Sequence, residues 1–566
     1  MKALLLLIPL LLCTQGVQAQ QVGDCQNGSD TANLDVGDVR AALYNNGSLF
    51  WRGSGNVYEV PKGSGVQSIF VNGLWIGGIA EDGSPRFSGT IYGPWTYWPG
   101  PLDTNGDPPD DCDDYDRMYS VYDADVRAYE ADGTLTDDLR DWPVHLGAPV
   151  VDGDGIGGNY DLAAGDRPEI YGEQSVWWVM NDAGNVKEWS TTPPIGVEVR
   201  VHAFAAACWP FEPRVPALNQ AINQNTYYHF TLIHKGSEPL RDTYIGWYTD
   251  GDLGNPDNDY VASDTTLQMM YYYNGQEDDA VGVRPTSTTP HYGEPPPAIG
   301  YLLARGPHLS SRNASQPPAP LGFTNIMNWD MGTTIGGAAI QHAYMRSAWP
   351  AEMYGRESPL TLGGTGFGGT TPIRYSFPGD PVTQAFWSEE NVDGSGSRNT
   401  AADRNILASS GPFDFAPGDT TTFTLAIVWA QGQDRLDSVR LLRQRAHTAT
   451  SALDVIMMYD AYSCAPSAEA EAPDPNALGY YVLRQNYPEP FSGQTTIRYE
   501  VINTVPVQLT VYDLLGRRVR TLVDGTQEAG VYDVVFEASD LPTGTYFYRL
   551  EAAGYVSITR RMVLQR

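Results

Sequence analysis

Aspartate and asparagine recur at short spacing in three stretches of the chain, a pattern that supplies oxygen ligands for a hard cation. In the first stretch Asp103, Asn105 and Asp107 alternate with other residues, and Asp114 stands at the twelfth position counted from Asp103. Calcium takes about six to eight oxygen ligands, which closely spaced side chains on a turning backbone provide. A proline at the sixth position replaces the glycine of the helix-loop-helix calcium motif. We therefore predict a calcium loop of a different kind.

The second and third stretches repeat the pattern around Asp-Gly-Asp triplets. Asp, Asn and Gly also form turns without any ion, so a purely structural interpretation stays open for an acidic protein. If an ion binds, we expect it to rigidify loops rather than to catalyse a reaction. The metal ligands predicted in these two stretches are Asp152, Asp154, Asp250, Asp252, Asp257 and Asp259.

Signatures of hydrolytic enzymes are mostly missing. The chain has neither a His-Glu-x-x-His zinc motif nor a Gly-x-Ser-x-Gly nucleophile elbow. A glycosidase needs only two carboxylates about 5–10 Å apart. The pair to inspect first is Glu389 and Glu390, for which the alternative is a solvated acidic turn after a strand. Trp95, Tyr97 and Trp98 could stack on sugar rings, although core packing is the commoner fate of such residues.

The histidines and the glycine-rich loops carry no recognisable site. His229 and His234 lie in and beside one strand-like run, but their odd separation places them on opposite faces of a strand. Shared metal ligation is thereby disfavoured, and we interpret both as ordinary strand residues. The glycines within 363–369 lack the lysine and the strand–helix context of a phosphate-binding loop.

Length, composition and charge narrow the class of protein. The chain of 566 residues exceeds the usual size of one hydrophobic core, so two or more domains are expected. Its formal net charge of −33 argues against nucleic acid as a partner, because phosphates need Lys and Arg. The same charge opposes contact with anionic membrane surfaces. With 59 glycines, 41 prolines and 34 tyrosines, the composition favours short strands and turns over a helical bundle.

Short apolar and aromatic runs between turn residues predict a mainly β fold. The clearest strand is Thr420 to Ala430. Apolar residues at helical spacing predict one helix from Leu436 to Ile456, with Asp434 or Asp437 as its cap. The Pro- and Gly-rich stretch from Gly275 to Pro320 is expected to be an extended loop.

Residues 1–19 have the pattern of a secretory signal peptide, in which a lysine precedes a short apolar run and a small-residue cleavage site. That run is about half as long as a membrane span needs, so we expect no transmembrane span in the mature chain. Removal of the signal leaves four cysteines, which permit two disulfides in three connectivities. These cysteines are Cys25, Cys112, Cys208 and Cys464.

Residues 477–566 form a separate segment behind a Pro- and Ala-rich linker at 465–476. The segment holds nine acids and nine arginines, so the acidic excess lies upstream of it. Its runs Asn486–Phe491, Val507–Asp513 and Leu541–Leu550 resemble the C-terminal sorting domain of the Bacteroidetes-type, or type IX, secretion system. The resemblance implies a small immunoglobulin-like domain that the secretion machinery recognises, and export through the periplasm to the outer surface or the medium.

The passenger, residues 20–464, resembles uncharacterised surface proteins that carry the same sorting domain. The resemblance rests on the runs Phe50–Gly78, Gly165–Pro168, Asp250–Gly254 and Ser409–Phe413. It implies an architecture and a location, and no activity.

These observations together predict a secreted or outer-membrane surface protein with a β-sandwich-like passenger of one or two units. The favoured role is a non-catalytic binding or structural module stiffened by calcium. An extracellular glycan or surface polymer is the partner expected besides the secretion machinery. The alternative is a secreted hydrolase that acts on polysaccharide or peptide.

Overall fold

The structure is a computed structural model in which two compact units, Met1–Cys464 and Ala465–Arg566, divide the chain. Strands account for 41% and helices for 13% of it, which confirms the mainly β class. The predicted signal peptide and linker lie outside the described residues. The structure describes residues 22–51, 58–92, 96–187, 190–208, 221–282, 290–309, 320–363, 367, 369–458, 482–483, 486, 491–501, 505–513, 517–528, 530–539, 541–552 and 556–565.

The described part of the first unit contains 22 strands and five helices. The strands are β1 (Thr31–Leu34), β2 (Arg40–Tyr44), β3 (Ser48–Leu49), β4 (Tyr58–Glu59), β5 (Val71–Ile79), β6 (Pro85–Gly89), β7 (Trp98–Pro99), β8 (Tyr119–Tyr122), β9 (Val150–Val151), β10 (Arg167–Pro168), β11 (Gln174–Asn181), β12 (Val197–Ala205), β13 (Asn225–His234), β14 (Leu240–Asp250), β15 (Asp259–Asp264), β16 (Met269–Asn274), β17 (Ala298–Leu309), β18 (Asn325–Asp330), β19 (Ala348–Trp349), β20 (Ser358–Pro359), β21 (Arg404–Phe415) and β22 (Thr420–Ala430). The helices are α1 (Asp123–Asp132), α2 (Asp137–Arg140), α3 (Ala338–Met345), α4 (Ala351–Tyr354) and α5 (Arg435–Met458).

Two antiparallel sheets of nine strands form the body of this unit. Sheet A has the order β1-β2-β3-β5-β14-β21-β18, with β4 beside β2 and β6 beside β5. Sheet B has the order β15-β16-β17-β22-β13-β12-β11-β7, with β8 beside β11. The consecutive strands β21 and β22 therefore occupy interior positions, one in each sheet. The strand predicted at Thr420–Ala430 is confirmed as β22.

Aromatic side chains from the two sheets meet in a shared core. Phe230 of β13 and Trp247 of β14 have ring centroids 5.6 Å apart, and Tyr228 lies 6.4 Å from the same tryptophan. Successive strand residues point to opposite faces, so Tyr227 and Tyr248 turn toward the outer layers. Two sheets that bury their inner faces against each other make a β-sandwich, as the sequence predicted.

Helix α5 covers the outer face of sheet B. The Tyr227 hydroxyl donates a hydrogen bond to the Ala449 carbonyl at 3.4 Å, and Leu442 has no solvent exposure. The Asp434 carboxylate accepts the backbone N–H of Asp437 at 2.7 Å and so caps the helix. The predicted helix and its cap are confirmed, because the apolar stripe that identified the helix is the stripe that the sheet buries.

Helix α3 covers part of the outer face of sheet A. The Tyr344 ring stacks on Trp329 of β18 at 4.7 Å between centroids. Trp329 in turn stacks with Tyr248 of β14 at 6.2 Å, and Tyr248 with Trp75 of β5 at 5.3 Å. A row of four aromatic rings therefore ties the helix to three strands. No described helix is long and apolar enough to cross a membrane.

The prediction of an extended loop from Gly275 to Pro320 is wrong for the middle part of that stretch. Residues Ala298–Leu309 form β17, which pairs with β16 and β22. Tyr301 and Leu302 are 0% and 1% exposed, although adjacent residues of a strand point to opposite faces. The prolines before this run suggested a loop, and burial on both faces removed the polar–apolar alternation that marks a half-exposed strand.

Three described cysteines of the first unit are in disulfides. Cys25 is bonded to Cys112, with Cα atoms 5.3 Å apart and a sequence separation of 87. Cys208 is also in a disulfide. Cys464 lies outside the described residues. Of the three connectivities left open by the sequence, only one contains the Cys25–Cys112 pair.

The described part of the second unit has seven strands in two antiparallel sheets. The sheets have the orders β23-β24-β27 and β26-β25-β28-β29. Their strands are β23 (Val482–Leu483), β24 (Gln494–Val501), β25 (Val505–Asp513), β26 (Arg518–Gln527), β27 (Gly530–Glu537), β28 (Gly544–Ala552) and β29 (Val556–Leu564). Apolar residues of both sheets, among them Tyr499, Phe536, Leu509 and Tyr548, join in one core.

Candidate metal centre

The third aspartate stretch lies at the place in sheet A where strand β14 ends and its neighbour β21 begins. Asp250 is the last residue of β14, and Asp403 directly precedes β21. Antiparallel pairing sets Asp250 opposite Asn405, which brings Asp403 to the same edge from a remote part of the chain. Asp252 follows in the turn with a backbone φ of 40°. One carboxylate oxygen from each of Asp250, Asp252 and Asp403 lies within 4.8 Å of the other two.

Burial and mutual repulsion dominate the electrostatics of this group. Asp250 is only 1% exposed; its Oδ2 accepts a hydrogen bond from the Tyr92 hydroxyl at 2.8 Å. Its Oδ1 forms no hydrogen bond with any described residue. Burial, and then the charge of Asp403, raise the pKa of Asp250 to about 7. Burial and the charge of Asp250 raise the pKa of Asp252 well above its usual range.

A fourth carboxylate, Asp259, lies close behind the group. It begins β15, is 1% exposed, and accepts the Leu253 backbone N–H through Oδ2 at 3.0 Å. Its Oδ1 has no hydrogen-bond partner among the described residues. Burial raises the pKa of Asp259 well above its usual range, and the charges of Asp252 and Asp403 contribute. Asp257 stands in the intervening turn, and its charge also raises the pKa of Asp252.

Three carboxylates at this spacing suit a divalent cation with oxygen ligands. Like charges held together in a buried place are costly unless a cation neutralises them. Carboxylates without thiolate or imidazole neighbours favour hard cations such as Ca²⁺ over zinc or copper. The donor set of Asp250, Asp252 and Asp403 therefore fits calcium. Sequence spacing could not have found Asp403, since it lies about 150 residues from its partners and only strand pairing brings it near.

The second stretch brings Asp152, Asp154 and Asp166 together with the same spacing limit of 4.8 Å. These carboxylates already accept hydrogen bonds from backbone N–H groups of their own loop. Asp166 accepts the N–H of Gly153 at 2.9 Å and that of Asp161 at 2.7 Å, and these hydrogen bonds lower its pKa. The carboxylates of Asp152 and Asp154 each accept a backbone N–H two or three residues ahead. Such bonds are what a turn without an ion also requires.

The first stretch forms a turn around Asp103. Its Oδ1 accepts the backbone N–H groups of Asn105 at 2.8 Å and Asp107 at 2.9 Å. Asp114 is exposed in a short 3₁₀ turn beside the disulfide. Within the described chain, neither Asp103, Asp107 nor Asp114 belongs to a group of three acidic side chains at metal-binding spacing.

The carboxylate pair singled out for hydrolysis is buried. Glu389 and Glu390 are 0% and 1% exposed, so the expected solvated turn is wrong. Arg435 holds Glu390 with two hydrogen bonds of 2.5 and 3.1 Å, and Arg398 approaches it at 3.1 Å. Burial raises the pKa of Glu389 to about 7, although Arg404 and a 2.6 Å hydrogen bond from Asn399 oppose the shift. Arg435, which makes the two hydrogen bonds to Glu390, is 45 residues away in sequence.

The other candidates take structural places. Tyr97 and Trp98 are 0% and 2% exposed and belong to the core, while Trp95 lies outside the described residues. His229 and His234 lie in β13. His229 contacts the Thr424 hydroxyl at 2.9 Å, and burial lowers its pKa to about 4.

Comparison with known proteins identifies the class of the chain through its second unit. Residues 485–565 match the family model described as a secretion system C-terminal sorting domain. The strands that carried the resemblance in the sequence lie inside this match. The chain is therefore a type IX secretion-sorted protein, which its sorting domain directs to the cell surface or outside the cell.

The chain is distantly similar to known structures, including the following two. A polysaccharide lyase is similar to it at 10% identity and a TM-score of 0.21, over 69% of this chain and 39% of the lyase. Dimeric latent PorU from Porphyromonas gingivalis is similar at 9% identity and a TM-score of 0.13, over 74% of this chain and 33% of PorU. This chain thus spans about two fifths of the length of the lyase and one third of the length of PorU. No curated protein matches the sequence.

Proposed function

We propose that the passenger is a non-catalytic binding or structural module of the cell surface, stiffened by calcium bound to Asp250, Asp252 and Asp403. The observation that carries the proposal is the convergence of three carboxylates, one of them 1% exposed with an oxygen that no described group satisfies. A bound cation joins the end of β14 to the residue before β21. The ion thereby stabilises sheet A at the place where β14 ends and β21 begins.

Calcium binding is tested by thermal melting of the purified protein. A ligand that binds only the folded state at 100 times its Kd stabilises it by about 2.7 kcal/mol. We expect a higher midpoint in millimolar calcium than in EGTA, and a smaller rise in magnesium, which demands stricter octahedral geometry. The exposed variant Glu81→Gln, far in sequence from the group, should keep the full shift. Equal midpoints in calcium and EGTA would refute the proposal.

A further inference from the structure

A second feature of the passenger is a cleft of about 540 Å³ beside the end of β18 and the start of β21. Trp349 of β19 and Tyr354 of α4 line it, with their rings edge to face at 5.8 Å. Tyr354 is 55% exposed, which is unusual for a large aromatic residue in this protein. Trp329 and Trp387 also line the cleft and are 3% and 6% exposed. The volume lies within the range of about 300–1,000 Å³ that small-ligand sites occupy.

Uncharged polar groups share the cleft with these rings. Asn328, Thr361 and Thr400 line it, and their side chains form no hydrogen bond with any residue that the structure describes. An amide offers both donors and an acceptor, and a hydroxyl offers one donor and two lone pairs. The lining therefore combines apolar faces with groups that hydrogen-bond in either direction.

The charges of the cleft are paired with each other. Arg404 is ion-paired with Asp330 of the neighbouring strand, and its Nε lies 3.5 Å from Glu389. Its Nη2 also donates to the Thr400 carbonyl at 2.8 Å. The arginine is thus committed to protein partners and is not available to a carboxylate or sulfate. The formal net charge of −33 further opposes the approach of a polyanion.

We infer that this cleft binds a neutral oligosaccharide segment of an extracellular polysaccharide. A pyranose ring presents an apolar C–H face, which packs on an aromatic ring, and a rim of hydroxyls that both donate and accept hydrogen bonds. The exposed Tyr354 and the edge-on Trp349 supply the aromatic surface for the C–H face. The amide and hydroxyl groups of the cleft supply hydrogen-bond partners for the sugar hydroxyls. The inference rests on the binding role proposed above but does not require calcium.

Native affinity electrophoresis of the full-length protein tests the inference. The gels contain a neutral β-glucan, a neutral mannan or the acidic polymer alginate. We expect at least one neutral polysaccharide to retard the protein more than alginate does. Tyr354→Ala should weaken binding about tenfold through the lost ring contact. Phe386→Ala removes another aromatic side chain, 49% exposed and outside the cleft lining, and should bind as the parent does.

The outcomes separate this inference from the calcium proposal. Because Tyr354 is half exposed, its variant should fold and keep the calcium-dependent melting shift. Loss of retardation with that shift intact supports the cleft as the sugar site. Retardation of Tyr354→Ala equal to that of the parent, a preference for alginate, or the absence of retardation by both neutral polymers would each overturn the inference. A missing calcium shift would refute only the earlier proposal.

Discussion

At the scale of single residues, the behaviour of Asp250 follows from its burial beside Asp403. A carboxyl whose pKa is raised to about 7 in the folded state binds a proton that the unfolded chain has already released. Its contribution to stability is therefore present below the unfolded pKa and is lost as the pH rises through about 7. The loss for one such group is at most about 1.4 kcal/mol per pH unit.

We accordingly predict that, in EGTA, the melting midpoint falls between pH 5 and pH 7.5. Asp250→Asn should flatten this fall, because an amide does not titrate. Calcium should also remove it in the parent protein, since the cation favours the ionised carboxylate. Differential scanning calorimetry across this pH range measures the effect. A fall of the same slope in Asp250→Asn would show that other groups cause it.

Asp403 gives a second prediction at the scale of single residues. Its substitution should affect stability differently in EGTA and in calcium. In EGTA, Asp403→Asn removes one of three repelling charges, so its midpoint should equal or exceed that of the parent. In calcium the variant lacks a ligand, so at least half of the calcium-induced stabilisation should disappear. Isothermal titration gives the corresponding weakening of calcium affinity. A variant less stable than the parent in both buffers by equal amounts would point to a purely structural aspartate.

At the scale of elements, α5 depends on packing against sheet B. Leu442 has no solvent exposure, and its Cδ1 lies 3.4 Å from the point that a Cβ at Gly300 of β17 would occupy. We predict that Leu442→Ala lowers the free energy of unfolding by about 2–5 kcal/mol. Arg440→Ala, on the exposed side of the same helix, should change it by no more than about 0.5 kcal/mol. Denaturant unfolding measures both, and equal losses would mean that the helix is held by something other than its apolar stripe.

Elements were predictable from the sequence where one local pattern determined them. The residue pattern that predicts strand β22 or helix α5 lies within the segment itself. The strand runs of the sorting domain match the pattern of a known family. The burial of Glu390 and the membership of Asp403 in the metal group depend on Arg435 and on the pairing of β14 with β21. Partners so distant in sequence leave no trace in local spacing. Strand β17 was mistaken for a loop because prolines precede it and the burial of both its faces removes the alternation of polar and apolar residues.

At the scale of the whole molecule, the second unit determines where the passenger goes. We predict that deleting residues 477–566 abolishes appearance of the passenger outside the cell and leaves it in the periplasm. Immunoblots of culture supernatant, surface-shaved cells and periplasm measure the distribution. The retained passenger should keep its calcium-dependent melting shift, which shows that misfolding is not the cause. Passenger found outside the cell after this deletion would contradict the role of the sorting domain.

The interior positions of β21 and β22 have a consequence for the order in which the passenger folds. Sheet A needs β21 between β14 and β18, and sheet B needs β22 between β17 and β13. A ribosome makes the chain from its N-terminus, so neither sheet can close until residues 404–430 have emerged. Until then β13 and β14 present unpaired edges, which invite association with other chains. We therefore expect folding to be a late event that is governed by long-range contacts and is slow for that reason.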